Sequence, residues 1–297
     1  MITLNTEKGL VRIATWEDVL TRPGFTVDID PKTVALKSII GSYAFQTFVP
    51  CGLASCHTPH GRGYLVVTND GRETNIGKDC GKKYFSVNFE RLAKVYDRDL
   101  RAKERREALT ALQHQIPDLK ARILALKEGD TGANWIHRNL APLRQGLPSP
   151  LPQMIQRMVR QRDGALTRSR LATAEELELM RAQGQRITPG QTIEEPAGQL
   201  AGLAALYEEN DLRELLVKRM EPLDQVEAAE VDTLPDKALR ELAKWATTIE
   251  PTLGQAEASV AAGRRLLTQT NLRQLDQFLN GKEDRRALAA YLQRLPA

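Results

Sequence analysis

The sequence predicts a mostly α-helical chain with a small α+β head at its N-terminus, then a helical arm and a C-terminal helical domain. Three observations lead there. Up to about residue 87, short apolar runs alternate with turn residues, the pattern of strands. From Asn88 onward, apolar residues recur with a period near 3.6, and alanine, leucine, arginine, glutamate and glutamine dominate. Proline and glycine then concentrate between Gly129 and Pro152 and between Gly184 and Gly198, where no long helix is expected to survive. The expected divisions are therefore 1–87 for the head, 88–129 for the arm, 130–198 for a broken linker with one basic helix, and 199–297 for the helical domain.

Residues 1–50 read as a lead-in to the head. Thr15 followed three residues later by Asp18 is a helix start, and Pro23-Gly24 ends that helix. Phe25–Ile29 alternates and predicts a strand bounded by Asp30-Pro31; Tyr43–Val49 predicts another that delivers the chain into Cys51.

Cys51 to Phe85 is the most informative stretch. All three cysteines of the chain, Cys51, Cys56 and Cys80, fall in it with His57 and His60, two of four histidines. Clustered thiolates and imidazoles suit tetrahedral Zn²⁺, which takes sulfur and nitrogen donors at four corners. Tyr64–Thr68 predicts a strand, Asp70-Gly71 a tight hairpin turn, and Arg72–Ile76 the return strand. Gly77 is expected to permit a tight turn that brings Cys80 back to the first loop. His60 is the preferred fourth ligand and His57 the alternate, because adjacent residues such as Cys56 and His57 seldom both reach one ion. Four protein ligands leave no open position, so the zinc is expected to be structural.

Knuckle, hairpin and a ligand at a helix start resemble the order of elements in treble-clef zinc fingers. The resemblance covers about a tenth of the chain. It departs from the usual pattern in the C-x4-C spacing of the first knuckle and in Gly77, which stands where a paired cysteine is common.

On the arm, Phe89, Leu92, Ala93, Tyr96, Leu100, Leu109, Leu112 and Ile116 form one apolar stripe. Arg91, Lys94, Arg98, Arg101, Lys103, Arg105 and Arg106, with Asp97, Asp99, Glu104 and Glu107 between them, read mostly as a solvated face with i,i+4 ion pairs. Pro117 is expected to kink or restart this helix. Beyond the joint, a basic helix is expected, with Met154, Ile155, Met158 and Val159 inward. Arg157, Arg160, Arg162, Arg168 and Arg170 are almost unopposed on its outer side, provided the helix runs through Gly164. The rest reads as helices near 199–220, 223–231, 235–249, 252–280 and 283–295.

No phosphate-loop, nucleophile-elbow or zinc-protease motif is met; Gly71 to Lys78 has its glycines one residue too far apart and Asp79 in place of Ser or Thr. No enzyme emerges. The cysteine usage suits a reducing cytoplasm, and no apolar run is long enough to cross a membrane. The net charge of +4 is modest, but its distribution is uneven. Basic residues ring the finger at Arg62, Arg72, Lys78, Lys82 and Lys83, and acids dominate from Glu208 to Asp236. The expected function is binding of nucleic acid, DNA or RNA, through phosphates. The alternative is an adaptor or inhibitor, in the style of phage and mobile-element proteins, that meets a basic protein through its acidic helices.

Overall fold

The structure is a computed structural model and describes residues 2–6 and 9–297. The chain is mixed α+β and mostly helical, with helix over 55% of its length. It opens with β1 (Ile2–Thr6), β2 (Gly9–Ile13), α1 (Glu17–Leu20), β3 (Leu36–Pro50), β4 (Pro59–Thr68), β5 (Glu73–Gly77) and α2 (Lys78–Lys127). Next come α3 (Ala133–Ala141), α4 (Leu151–Gln161), β6 (Ala165–Leu171), α5 (Ala174–Ala182) and β7 (Thr192–Gln199). The last helices are α6 (Pro222–Ala228), α7 (Asp236–Ala246), α8 (Ile249–Leu266), α9 (Gln269–Arg273) and α10 (Lys282–Leu292). Contacts divide the chain into two compact units, 1–112 with 229–243, and 113–228 with 244–297.

The first unit is built on an antiparallel sheet of order β2-β1-β3-β4-β5. Alternation along β4 buries Leu65 on one face and Val66 on the other, so the sheet carries a core on each side. One core gathers Ile2, Leu4, Val19, Tyr43, Val49 and Leu65, with Trp16 and Phe25 against them. The other joins Ile39, Leu53, Val66 and Ile76 to Cys51 and Cys80, and to Phe89 and Tyr96 of α2. Helix α2 is tied to the sheet by Tyr96 Oη, which donates to the Thr3 carbonyl at 3.0 Å, and by Lys103 Nζ on the Thr6 carbonyl at 2.6 Å.

The hairpin forms as expected. Thr68 N–H bonds the Arg72 carbonyl at 2.9 Å across the turn, and Gly71 takes φ +87°, which glycine adopts without strain. Thr15 and Asp18 also bond reciprocally at the start of α1. Two expectations change, and one element is additional. Phe25–Ile29 is not a strand, because Asp28 sits at φ 61° and breaks the extension; Phe25 and Ile29 make single bridges to Glu73 and Leu53 instead. The β1–β2 hairpin adds two strands to those the sequence predicts. Gly77 makes no turn: it is the last residue of β5, and α2 begins at the next residue.

Ser86, at φ 45° and ψ −128°, puts a kink in α2 between two helical segments, and the second stays helical through Pro117. The 87–127 portion is roughly 60 Å long.

In the second unit, α8 is buried along its length through Ile249, Leu253, Ala256, Val260 and Leu266. Gly263 lets α3 approach, since a Cβ there would lie 2.6 Å from Ile136 Cγ2. The stretch 130–198 is structured rather than a broken linker: α3 and α4 fill its first half, and β6 pairs antiparallel with β7. Thr173 and Glu176 form a capping box on α5 between them. The expected basic helix stops at Gln161, because Arg162 adopts the left-handed conformation at φ 55°. Arg168 and Arg170 therefore lie on β6, not on a helix face shared with Arg157. The segments 199–220 and 252–280 are also divided into shorter elements; Thr268 caps α9 after α8 ends. Among the described residues, no helix is long and apolar enough to cross a membrane.

Candidate metal centre and basic surfaces

The turn carrying Cys51 and Cys56 is clamped from two sides. Gly52 N–H bonds the Asn75 carbonyl of β5 at 2.9 Å, and Ile29 exchanges bonds with Gly52 and Ala54 at 3.1 and 3.0 Å. The Phe25–Ile29 segment thus buttresses the knuckle. Cys56 N–H closes the turn on the Leu53 carbonyl at 3.0 Å. Cys80 lies in the first turn of α2, directly after β5. The three sulfurs lie within 4.8 Å of one another, with Cys56 and Cys80 Sγ 3.3 Å apart. Three cysteines here are close enough to hold one metal ion.

Burial and mutual proximity set the protonation of the three thiols. Burial pushes the Cys51 thiol up, while the N–H groups of Leu53 and Gly77, directed at its sulfur, act in the opposite sense. Burial also acts to raise Cys56, but the Thr58 hydroxyl and N–H and the neighbouring sulfurs outweigh it and bring the thiol down to about 7. Cys80 is pushed up to about 12, first by burial and then by Cys56 and Cys51. Three thiolates this close cannot all ionise alone. A bound divalent cation removes that conflict and ionises all three.

Neither histidine belongs to the three-sulfur group. His57, at φ 49°, turns outward and places Nε2 3.2 Å from Asp28 Oδ1. His60 turns inward. Its Nδ1 lies 2.9 Å from Tyr43 Oη, and its Nε2 is the one buried side-chain nitrogen or oxygen without a hydrogen-bond partner among the described residues. Burial pulls its pKa below the ordinary histidine value. The ring packs on Gly77, where an added Cβ would come within 2.7 Å of Cδ2. Gly77 therefore has His60 against its Cα and Cys51 against its N–H. His114 and His137 are exposed and join no such group among the described residues.

The basic residues named from sequence divide into free and committed ones. Arg72 donates from Nε and Nη2 to one Asp70 oxygen, Oδ2, at 2.9 and 2.6 Å across the hairpin turn. Lys82 pairs with Glu90 at 3.3 Å, and Lys83 lies over the Tyr84 ring. Arg62 and Lys78 are exposed and have no acidic partner among the described residues. In the second unit, Arg162 bonds Glu209 and covers the Tyr207 ring, Arg168 bonds Glu195, and Arg170 bonds both Glu176 and Glu195. These three are opposed, contrary to expectation. Arg157 and Arg160 are exposed without an acidic partner among the described residues.

One basic surface went unrecognised in the sequence. A groove of about 470 Å³ in the first unit is lined by seven lysines and arginines against three acids, which leaves it cationic. Lys94, Arg98, Arg101 and Arg105 enter it from α2 at spacings of four, three and four, one face of a helix. The spacing was visible, but the charges read as ion-paired. The i,i+4 pairs are not made: Asp97 accepts from Tyr64 Oη at 3.1 Å, and Arg98 bonds Asp99. Lys94, Arg101, Arg105 and, from α7, Arg240 have no acidic partner among the described residues.

Comparison with protein families, with characterised proteins and with solved structures finds no match to this chain.

Proposed function

We propose that this chain is a zinc-containing nucleic-acid-binding protein whose zinc is structural and whose first unit tracks phosphates through the α2 groove. The observation that carries the reading is the groove itself, with Lys94, Arg101 and Arg105 unneutralised along about 16 Å of one helix face. Like charges in adjacent turns repel, and a polyanion relieves that repulsion. Contacts of this kind fix register on a backbone and treat DNA and RNA alike.

Zinc is favoured over other metals by the soft donor set of Cys51, Cys56 and Cys80. We assign His60 as the fourth donor. Its unpartnered buried Nε2 and the Tyr43 hydroxyl on Nδ1 are the pattern of a ligand imidazole with its orienting partner. His57, held by Asp28, is the weaker choice. Zinc would hold the knuckle, β5 and the start of α2 together, and so support the sheet on which α2 rests.

The adaptor reading has less support, because Glu209, Asp224 and Glu227 are already held by Arg162 and Lys120. The test is a salt series on the full chain with a labelled duplex. Changing Lys94, Arg101 and Arg105 together to Gln should reduce affinity and shrink the slope of log affinity against log salt by about 2 to 3. Unchanged affinity at low salt would overturn the groove as the site.

A further inference from the structure

We infer that the second unit carries a separate site for unpaired nucleotides, in a cleft between α4 and Phe278. The cleft has a volume of about 740 Å³, within the range of ligand sites, and no acidic residue lines it. Helix α4 presents Gln153, Arg157, Arg160 and Gln161 to it, while Leu151, Ile155 and Met158 are buried behind. This division of the helix leaves two guanidiniums three residues apart on a wall with nothing to neutralise them. Their neighbours differ: Arg162, Arg168 and Arg170 are each consumed by a glutamate. The cleft is where the local excess of positive charge remains.

Phe278, Met154 and Pro150 supply the apolar part of the lining. An aromatic ring beside unpaired arginines suits a base stacked on the ring with its phosphates on the guanidiniums. The amides of Gln153 and Gln161 offer both donors and acceptors, which tolerate any base edge. A base inside a duplex is already stacked on its neighbours and is not free to stack on a ring in the cleft, so the cleft selects single strands. The inference does not depend on the α2 groove, which lies in the other unit and tracks phosphates of either form.

The test uses the full chain with a 12-nucleotide single strand carrying 2-aminopurine, and the same sequence as a blunt duplex. Stacking on Phe278 should quench the 2-aminopurine emission on binding. Phe278→Leu keeps apolar volume but removes the flat π-face; it should abolish the quench and weaken single-strand binding roughly 5- to 150-fold, leaving duplex binding unchanged. Arg157→Gln with Arg160→Gln should shrink the single-strand salt slope by about 1.4. These arginines are on an exposed helix face, so that variant keeps the test decisive should Phe278→Leu not fold. Equal losses on single strand and duplex, or single-strand binding untouched by both variants, would overturn the inference. Failure of the groove reading looks different: the Lys94, Arg101 and Arg105 variant would then bind duplex normally, while dependence on Phe278 persisted.

Discussion

At the scale of single residues, Gly77 and His60 are the pair on which the head's geometry turns. Glycine at 77 looked like a device for a tight turn, yet its backbone is ordinary strand and its missing side chain is what matters. The His60 ring occupies that space, and the Tyr43 hydroxyl holds it there. Gly77→Ala should therefore displace the ring and cost about 1 to 3 kcal/mol, the usual range for overpacking. Zinc content should fall with it; a variant with parental melting temperature and zinc would show that the ring can retreat freely. Cys80→Ser removes a sulfur from the group and should abolish zinc in elemental analysis of the purified chain. His60→Ala should weaken zinc against a competing chelator, while His57→Ala should change it little. The opposite order would move the fourth ligand to His57. The three cysteines are legible as a group because they cluster in sequence as well as in space. The partners of His60 are not, since Tyr43 lies 17 residues away and nothing in its local pattern marks it.

At the scale of elements, legibility followed how local the deciding contacts are. The β4–β5 hairpin is set by Asp70-Gly71 and was read correctly. The β1 strand pairs with β3 some forty residues later, and only Ile2 and Leu4 mark its buried face, so it was missed. The partners of the arginines after Gly164 are hidden in the sequence for a related reason. Their partner Glu195 lies 25 or more residues along the chain, on the strand that pairs with β6. That ion cluster gives the β6–α5–β7 segment a pH dependence. Hydrogen bonds from Arg170, with the Thr173 N–H, hold Glu176 down to about 2, and Arg168 and Arg170 lower Glu195. A carboxylate depressed on folding stabilises the fold above its unfolded value, near 4.5, and loses that contribution as pH falls toward the folded value. Hydrogen exchange across 165–199 should thus accelerate between about pH 4.5 and about pH 2 relative to α8. Both carboxylates are half-buried but still reached by solvent, so salt should diminish the effect. Exchange unchanged over that window would show that the cluster contributes nothing.

At the scale of the whole chain, the two units differ in whether their core contains a group of potential metal donors. In the first, Cys51 and Cys80 are part of the core that also contains Leu53, Val66, Ile76, Phe89 and Tyr96. The cysteine cluster and the hydrophobic core are therefore one structure, and without an ion three crowded thiols lie within it. In the second unit, no comparable group of metal donors exists among the described residues, and leucine and isoleucine packing around α8 is what holds it. A chelator should consequently act on one unit and spare the other. Hydrogen exchange should lose protection through the sheet and in 78–112 and 229–243, while α3, α4 and α8 keep theirs. Zinc should restore the lost protection, and magnesium, which prefers oxygen ligands, should not. Helices α2 and α7 contain the divisions at 112/113 and 243/244, so the change in protection should fall within each helix rather than at its end. Loss of protection in both units together would mean that zinc stabilises the chain as a single cooperative body. Full protection in a chelated, zinc-free sample would mean that the sheet's apolar cores suffice, and the structural role assigned to the metal would fall.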